Sequence, residues 1–430
     1  MPMSQRTVVF LSYYRHQSRL FNLLAAALPG TFRAQIGGRG PMSRFFGQVG
    51  GALPGDIVVK HLNVYRLLAG TLFGSIWPHE PISSEVADRI TLFYRLNKTV
   101  RHQKRDTKRW RHRLAKRADQ FYWFFRKKLF GADMLIVWNG FALPLAAAVA
   151  AARSLGIKVV FCEHGVLPGT IAMDPKGINF ANSLSGKPAQ FFREIALDPA
   201  KVESVFSARL QQRPLRKPSS RASSPTDDDK LLPERYMLFA MQVHNDSQVL
   251  LFSPRFHSME QAVTYVAEEL IEYNKRTGDS LRLVVKEHPS DSGRIDYTAL
   301  RQSLPDAYFL RTTPISKIIG NAQAVITINS TVGVEALLHL RPVITLGDAF
   351  YNVPGVVRHL NDKEDLAEVL VETVGRPVDR DLISRFLYSL RYEYLVPAPP
   401  KTTDRDTVSP AAQRILDILY DQLSWMSHER

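Results

Sequence analysis

Four short polar segments each follow a predicted strand, and each carries residues able to do chemistry. In Gln242-Val243-His244-Asn245-Asp246-Ser247-Gln248, Asp246 is a candidate nucleophile or base. The plainer reading is a helix N-cap, because an apolar run follows. In Lys286-Glu287-His288-Pro289-Ser290, the proline pushes His288 toward an extended backbone. That can aim an imidazole at a leaving phosphate, to hold it or protonate it. An exposed charged turn is the commoner fate of such a tetrapeptide. Asn329-Ser330-Thr331-Val332-Gly333-Val334-Glu335 opens a predicted helix, whose first N–H groups suit phosphate. Ser330 and Thr331 add hydroxyls, Gly333 permits close backbone approach, and Glu335 can accept ribose hydroxyls. A capped helix start accounts for the same residue types. Glu163-His164-Gly165-Val166-Leu167-Pro168 sets a carboxylate at another strand end, as a candidate general acid/base or as part of an ordinary turn. Three of the four turns fall on what would be one edge of one domain, which argues for a shared pocket.

The elements that must hold these turns alternate strand and helix. In the first part, Val8–Leu11, Ile57–Val59, Met134–Trp138 and Lys158–Cys162 read as strands. An alanine-rich helix, Pro144 to Leu155, separates the last two. Strand, helix and strand in that order predict a parallel sheet covered on both faces. In the second part, Tyr236–Ala240, Leu281–Val285, Ala324–Ile328 and Pro342–Leu346 are strands with helices between them. Residues 213–233, rich in Pro, Ser, Arg and Lys, read as a linker, and the Asp227-Asp228-Asp229 run within it as a solvated charge cluster. The expected fold class is α/β: two Rossmann-like domains facing across a cleft. Residues 1–212 form the first, with a basic helical insertion, and 234–405 the second. Residues 406–430 form a C-terminal helix started by Ser409-Pro410.

A chain of 430 residues suits two or three domains. Its one cysteine, Cys162, excludes a disulfide framework and fits a reducing compartment. No secretory leader is read at the start. The longest apolar stretch, Ala142 to Ala152, is too short to span a bilayer, so attachment would be at a membrane surface. The net charge of +15 favours an anionic partner. Much of it lies in a run that also holds aromatics. Arg101, Arg105, Arg109, Trp110, Arg113, Trp123 and Lys127 are candidates for an acceptor or membrane surface. A solvated helix face is the bland alternative. No nucleic-acid motif and no metal-ligand spacing is present, so neither nucleic acid nor a metal is expected.

Together these segments resemble the bacterial β-Kdo transferases, a family of capsule polysaccharide and O-antigen enzymes that transfer the acidic sugar Kdo. The resemblance is carried by Glu163-His164-Gly165-x-x-Pro168 with Asp174, Gly177, Asn179 and Ser183 downstream. Gln242-x-x-x-Asp246-Ser247, Lys286-x-His288-Pro289 and Asn329-Ser330-Thr331-x-Gly333-x-Glu335-Ala336-Leu337 then follow in the family's order. His164 departs from the asparagine more usual in the capsule enzymes. The resemblance implies a GT-B fold, a CMP-β-Kdo donor, no cofactor or metal, and a retaining reaction. It makes Asp246 the nucleophile, Glu163 the base for the acceptor hydroxyl and His288 the partner of the CMP phosphate. Gln242, Lys286, Asn329, Ser330, Thr331, Gly333 and Glu335 complete the donor site. It further implies a lipid-linked bacterial glycan as acceptor, a place in the cytoplasm at the inner face of the inner membrane, and other transferase modules as partners. The alternatives are an inverting CMP-sialic-acid-type transferase, a GT-B-fold nucleotide-sugar epimerase and a non-enzymatic module binding an anionic polymer.

Overall fold

The computed structural model describes residues 6–12, 15–28, 34–36, 57–63, 108–207, 227–228, 231–291, 294–398 and 404–423. The chain divides into two compact units. One comprises Met1–Ser183 and Tyr392–Arg430, the other Leu184–Arg391.

The first unit is built on strands β1 (Arg6–Ser12), β2 (Ala34–Ile36), β3 (Ile57–Asn63), β4 (Met134–Trp138), β5 (Lys158–His164) and β6 (Thr170–Asp174). The order across the sheet is β6-β5-β4-β1-β3-β2, extended beyond β6 by a short strand at Val396–Pro397. β1 to β5 pair in parallel, while β6 runs antiparallel to β5. Every side chain of β4 is buried, as expected of a central strand with both faces covered. The antiparallel edge departs from the wholly parallel sheet expected. β5 turns straight back through the Gly165–Pro168 segment, so that segment is a hairpin rather than an approach to a helix. Gly165 is required there, since a Cβ would lie 2.0 Å from Thr170 Oγ1.

The second unit carries six parallel strands, β7 (Tyr236–Ala240), β8 (Arg282–Lys286), β9 (Tyr308–Leu310), β10 (Ala324–Thr327), β11 (Val343–Thr345) and β12 (Arg358–His359). Their order, β12-β11-β10-β7-β8-β9, is that of a Rossmann sheet. The long helix Met259–Thr277 shows why the sequence folds this way. Ser258 Oγ caps it by accepting from Gln261 N at 3.2 Å, and Gly278 ends it in the left-handed region at φ 71°. Met259, Ala262, Val263, Val266, Leu270 and Tyr273 line its buried face at three- and four-residue spacing. The two Rossmann-like α/β units expected from the sequence are thus present.

Their limits differ from those expected. Residues 184–207 belong to the second unit and not to the first. Phe192 is buried with its ring 5.3 Å from Phe386, and Arg193 pairs with Asp379 at 2.6 Å. The C-terminal helix, Arg405–Leu419, returns to the first unit. Val408, Ala411, Ala412 and Ile415 share a core there with Phe21 and Leu24. Asp404 caps that helix, and Pro410 lies inside it rather than at its start.

Two of the acidic residues read as a solvated run are backbone clamps. Asp228 Oδ1 accepts from Thr312 N at 2.9 Å and Thr313 N at 2.8 Å, while Asp227 Oδ2 accepts from Phe309 N at 2.8 Å. They fasten their segment to the end of β9. Asp229 lies outside the described residues. Among the described residues no helix is long and apolar enough to cross a membrane, and no group of three or more His, Cys, Asp or Glu could hold a metal ion.

Candidate functional site

In the second unit the chain runs β7, β8, β9 to one side, then crosses back to lay down β10, β11 and β12 on the other. The crevice at the carboxyl ends of β7 and β10 is therefore the topological switch point, where open α/β sheets bind ligands. Gln242 follows β7 and Asn329 follows β10. Gln242 Nε2 donates to Asn329 Oδ1 at 3.0 Å, and Asn329 N donates to Gln242 Oε1 at 3.0 Å. The same Gln242 Nε2 lies 3.3 Å from Asp246 Oδ2.

Asp246 is the helix N-cap that its position suggests. Its Oδ1 caps the helix Ser247–Phe252 by accepting from Gln248 N at 2.9 Å. Burial pushes its carboxyl above the usual range, and the charge of Asp291 adds to that. The Gln248 N–H and the Gln242 amide act the other way, as does His288 when its ring is protonated. A carboxylate held in two bonds with a raised pKa is oriented and more basic than a free aspartate, which suits a nucleophile or base.

His288 is half-buried beyond the end of β8, where Ser290 N donates to its Nδ1 at 3.1 Å. With Nδ1 accepting, the proton of the neutral ring sits on Nε2. Ser330 Oγ accepts from Val332 N at 3.2 Å at the start of the helix Val332–Leu338. Thr331 is exposed, and Glu335 lies half-buried in that helix's first turn. Asp246, His288, Ser330, Thr331 and Glu335 therefore all follow carboxyl ends of the one sheet.

Three residues expected to touch a donor are engaged elsewhere. Asn329 Nδ2 is 3.0 Å from Phe252 O, 3.1 Å from Gln248 O and 3.2 Å from Asp348 O, so its amide braces three turns and has no hydrogen left for phosphate. Lys286 is buried, its Nζ donating to the carbonyls of Glu287 at 2.8 Å and Arg311 at 3.0 Å. Gly333 is buried against Tyr351, and a Cβ there would lie 2.7 Å from the ring. Its close approach is to a tyrosine, not to a ligand.

In the first unit, Glu163 lies near the end of β5, half-buried. Asn139 Nδ2 donates to its Oε2 at 3.0 Å, and the backbone N of His164 to its Oε1 at 2.9 Å. Asn139 sits in the left-handed region at φ 65°, just beyond β4. His164 is exposed and packs 4.9 Å from Trp138, edge to face, with His16 stacked at 6.1 Å. Asp174 is fully buried and accepts from Lys176 N, Ser183 N and Ser183 Oγ within 2.9 Å, so it orders the loop after β6.

The basic helix Lys108–Leu129 turns Ala118, Phe121, Phe125 and Leu129 into the core. Arg109, Arg113 and Lys127 are exposed, while Trp110 and Trp123 are half-buried. Much of the aromatic content expected at a surface is core packing. Arg101 and Arg105 lie outside the described residues. Sequence reasoning overlooked Asn139, whose Asn-Gly pair after a strand was its only signal. It also passed over His244, inside one motif, and Asp291, the residue just after another, which pair at 2.7 Å.

The family model described as capsule polysaccharide biosynthesis protein matches residues 212–374, within the second unit's span. The chain is 33% identical over 284 residues to Protein FixF of Sinorhizobium fredii, covering 66% of this chain and 64% of that protein. It is 34% identical over 133 residues to the capsule polysaccharide export protein KpsS of Escherichia coli, covering 29% of this chain and 33% of the relative. The chain thus spans under two thirds of FixF and about a third of KpsS. Among solved structures it is similar to Thermosulfurimonas dismutans KpsC, β-Kdo 2,7 transferase, at a TM-score of 0.41 and 16% identity, over 69% of this chain and 87% of that one. Residues 212–374 thus match the capsule polysaccharide biosynthesis family, over less than half of the chain.

Proposed function

We propose that this protein is a retaining glycosyltransferase that moves Kdo from CMP-β-Kdo to a lipid-linked bacterial glycan. The observation that carries the reading is Asp246. It is a carboxylate at the switch point of a Rossmann sheet, held by Gln242 and Gln248. The match of residues 212–374 to a capsule polysaccharide family and the ordered motif set support a sugar donor of this kind.

Asp246 attacks the anomeric carbon, and the bond to the phosphate oxygen breaks. CMP leaves with the electron pair while His288 Nε2–H, Ser330 and Thr331 neutralise its charge. The acceptor hydroxyl, deprotonated by Glu163, then attacks the same carbon and releases the Asp246 carboxylate. Two displacements, each inverting, return the starting β configuration. Each step is balanced by groups this chain supplies, with no metal or cofactor assigned. The exposed basic face of Lys108–Leu129 is assigned to the anionic membrane surface that carries the acceptor.

Intact-mass measurement after incubation with CMP-β-Kdo tests the reading. The expected result is an added mass of one Kdo residue mapping to Asp246, absent from Asp246→Asn. Asparagine keeps the helix cap, so that variant stays folded. Transfer that survives in Asp246→Asn would sink the nucleophile assignment.

A further inference from the structure

His244 stands two residues before Asp246, and Asp291 three residues after His288. The two loops follow neighbouring strands, β7 and β8, and this pair joins them. Asp291 Oδ2 accepts from the backbone N of His244 at 2.8 Å, and Asp291 Oδ1 lies 2.7 Å from its ring Nδ1. Tyr297 donates its hydroxyl to Asp291 Oδ2 at 3.3 Å. His244 is 6% exposed and Asp291 2%, so this is an interior arrangement.

A carboxylate can only accept, so the proton of the imidazole belongs on Nδ1 and a neutral ring keeps its lone pair on Nε2. That Nε2 is buried and has no hydrogen-bond partner among the described residues. An unpaired buried acceptor is costly. The ring is therefore placed by its bond to Asp291 at the expense of its other nitrogen. A core selected for stability alone would fill the space with an apolar side chain and leave Asp291 out. What the arrangement does obtain is a fixed span between the loop that carries Asp246 and the loop that carries His288.

We propose that His244 and Asp291 are a positioning pair, which holds the Asp246 carboxylate at its working distance from the leaving-group side of the donor. Asp291 sets the tautomer of His244, and the pair joins the two loops through the ring as well as through the backbone. This rests on Asp246 being the nucleophile. The charge of Asp291 also reaches Asp246, so the two are electrostatic neighbours. Neither His244 nor Asp291 need touch the sugar.

Two readouts on the full chain test the pair, one of them independent of substrate. Nitrogen NMR of protein labelled at histidine should show His244 as the Nδ1–H tautomer, changing in Asp291→Asn, whose amide can donate to Nδ1. With CMP-β-Kdo and a Kdo-accepting glycan, His244→Leu should lower kcat about 100-fold while KM for the donor stays within about threefold, the pattern of lost alignment. His244→Asn offers an N–H near the position of Nδ1 and should recover most of that rate. It also serves if the leucine variant does not fold. An Nε2–H tautomer in the unmodified protein, an unchanged kcat in His244→Leu, or an asparagine variant as slow as the leucine one would each overturn the proposal. A wild-type protein inactive toward CMP-β-Kdo yet showing the Nδ1–H tautomer would fault the proposed reaction and leave the pairing standing.

Discussion

Lys286 carries two opposed free energies in one side chain. Burial brings its pKa down to about 8, against the pull of Asp228 and Glu287, while its Nζ satisfies two carbonyls. The folded pKa lies below the ordinary lysine value of 10.5, so as pH rises the folded protein releases this proton first. Between about pH 8 and 10.5 the unfolded chain binds more protons, and stability from this group rises with pH. Below that window the desolvation penalty is fully present. Lys286→Met removes the penalty and the bonds together. Its cost should be small at pH 7 and grow to about 1–3 kcal/mol at pH 10, where the bonds to buried carbonyls are lost without relief. Urea unfolding of both proteins at the two pH values measures this, and a difference that shrinks at high pH would contradict it. Lys286 and Asn329 also show the limit of reading residues singly. A polar side chain after a strand fits a ligand or a brace equally well. The partners that decide, Arg311 O for one and Gln248 O for the other, stand 25 and 81 residues away.

At the scale of elements, the turn Asn329–Thr331 depends on how the helix Val332–Leu338 packs on Tyr351. The Tyr351 hydroxyl donates to Ser330 O, and its ring occupies the space a side chain at 333 would need. Gly333→Ala should therefore cost about 1–3 kcal/mol by overpacking, and it should shift the turn that offers Ser330 and Thr331. A lowered melting temperature with weakened CMP binding by calorimetry is the expected result; unchanged binding would detach the turn from the donor. The elements themselves were largely legible. Apolar runs such as Met134–Trp138 and Tyr236–Ala240 became strands buried on both faces, as their unbroken hydrophobicity requires. The antiparallel return of β6 was not legible. Glu163 to Pro168 has the composition of any polar turn, and the requirement for Gly165 exists only once Thr170 is packed against it. Asp227 and Asp228 were misread for a similar reason: their partners are backbone N–H groups at the end of β9, which no side-chain pattern announces.

At the scale of the whole molecule, the two α/β units follow from the strand and helix alternation, but their limits do not. A linker composition marked 213–233, while Phe192 against Phe386 and Ile415 in one core with Phe21 set the actual membership of residues 184–207 and of the C-terminal helix. Charge is the property that the chain as a whole carries most plainly into function, at +15. The helix Lys108–Leu129 concentrates it. Lys108, Arg109, Arg111, Arg113, Lys116 and Arg117 are exposed, and Phe121, Phe125 and Leu129 anchor the opposite side in the core. Such a face gains from an anionic bilayer through the attraction of each basic residue to the surface, an effect confined to about a Debye length. Replacing Arg109, Arg113, Lys116 and Arg117 with glutamine should lower affinity for phosphatidylglycerol vesicles by about two orders of magnitude or more and flatten its salt dependence. Binding to zwitterionic vesicles should stay weak in both proteins. These side chains point to solvent, so the far-ultraviolet circular dichroism and the turnover of a soluble acceptor should stay as in the parent. Vesicle binding retained in full by the glutamine variant would move the membrane contact off this helix, and equal binding to both lipid types would remove charge as its cause.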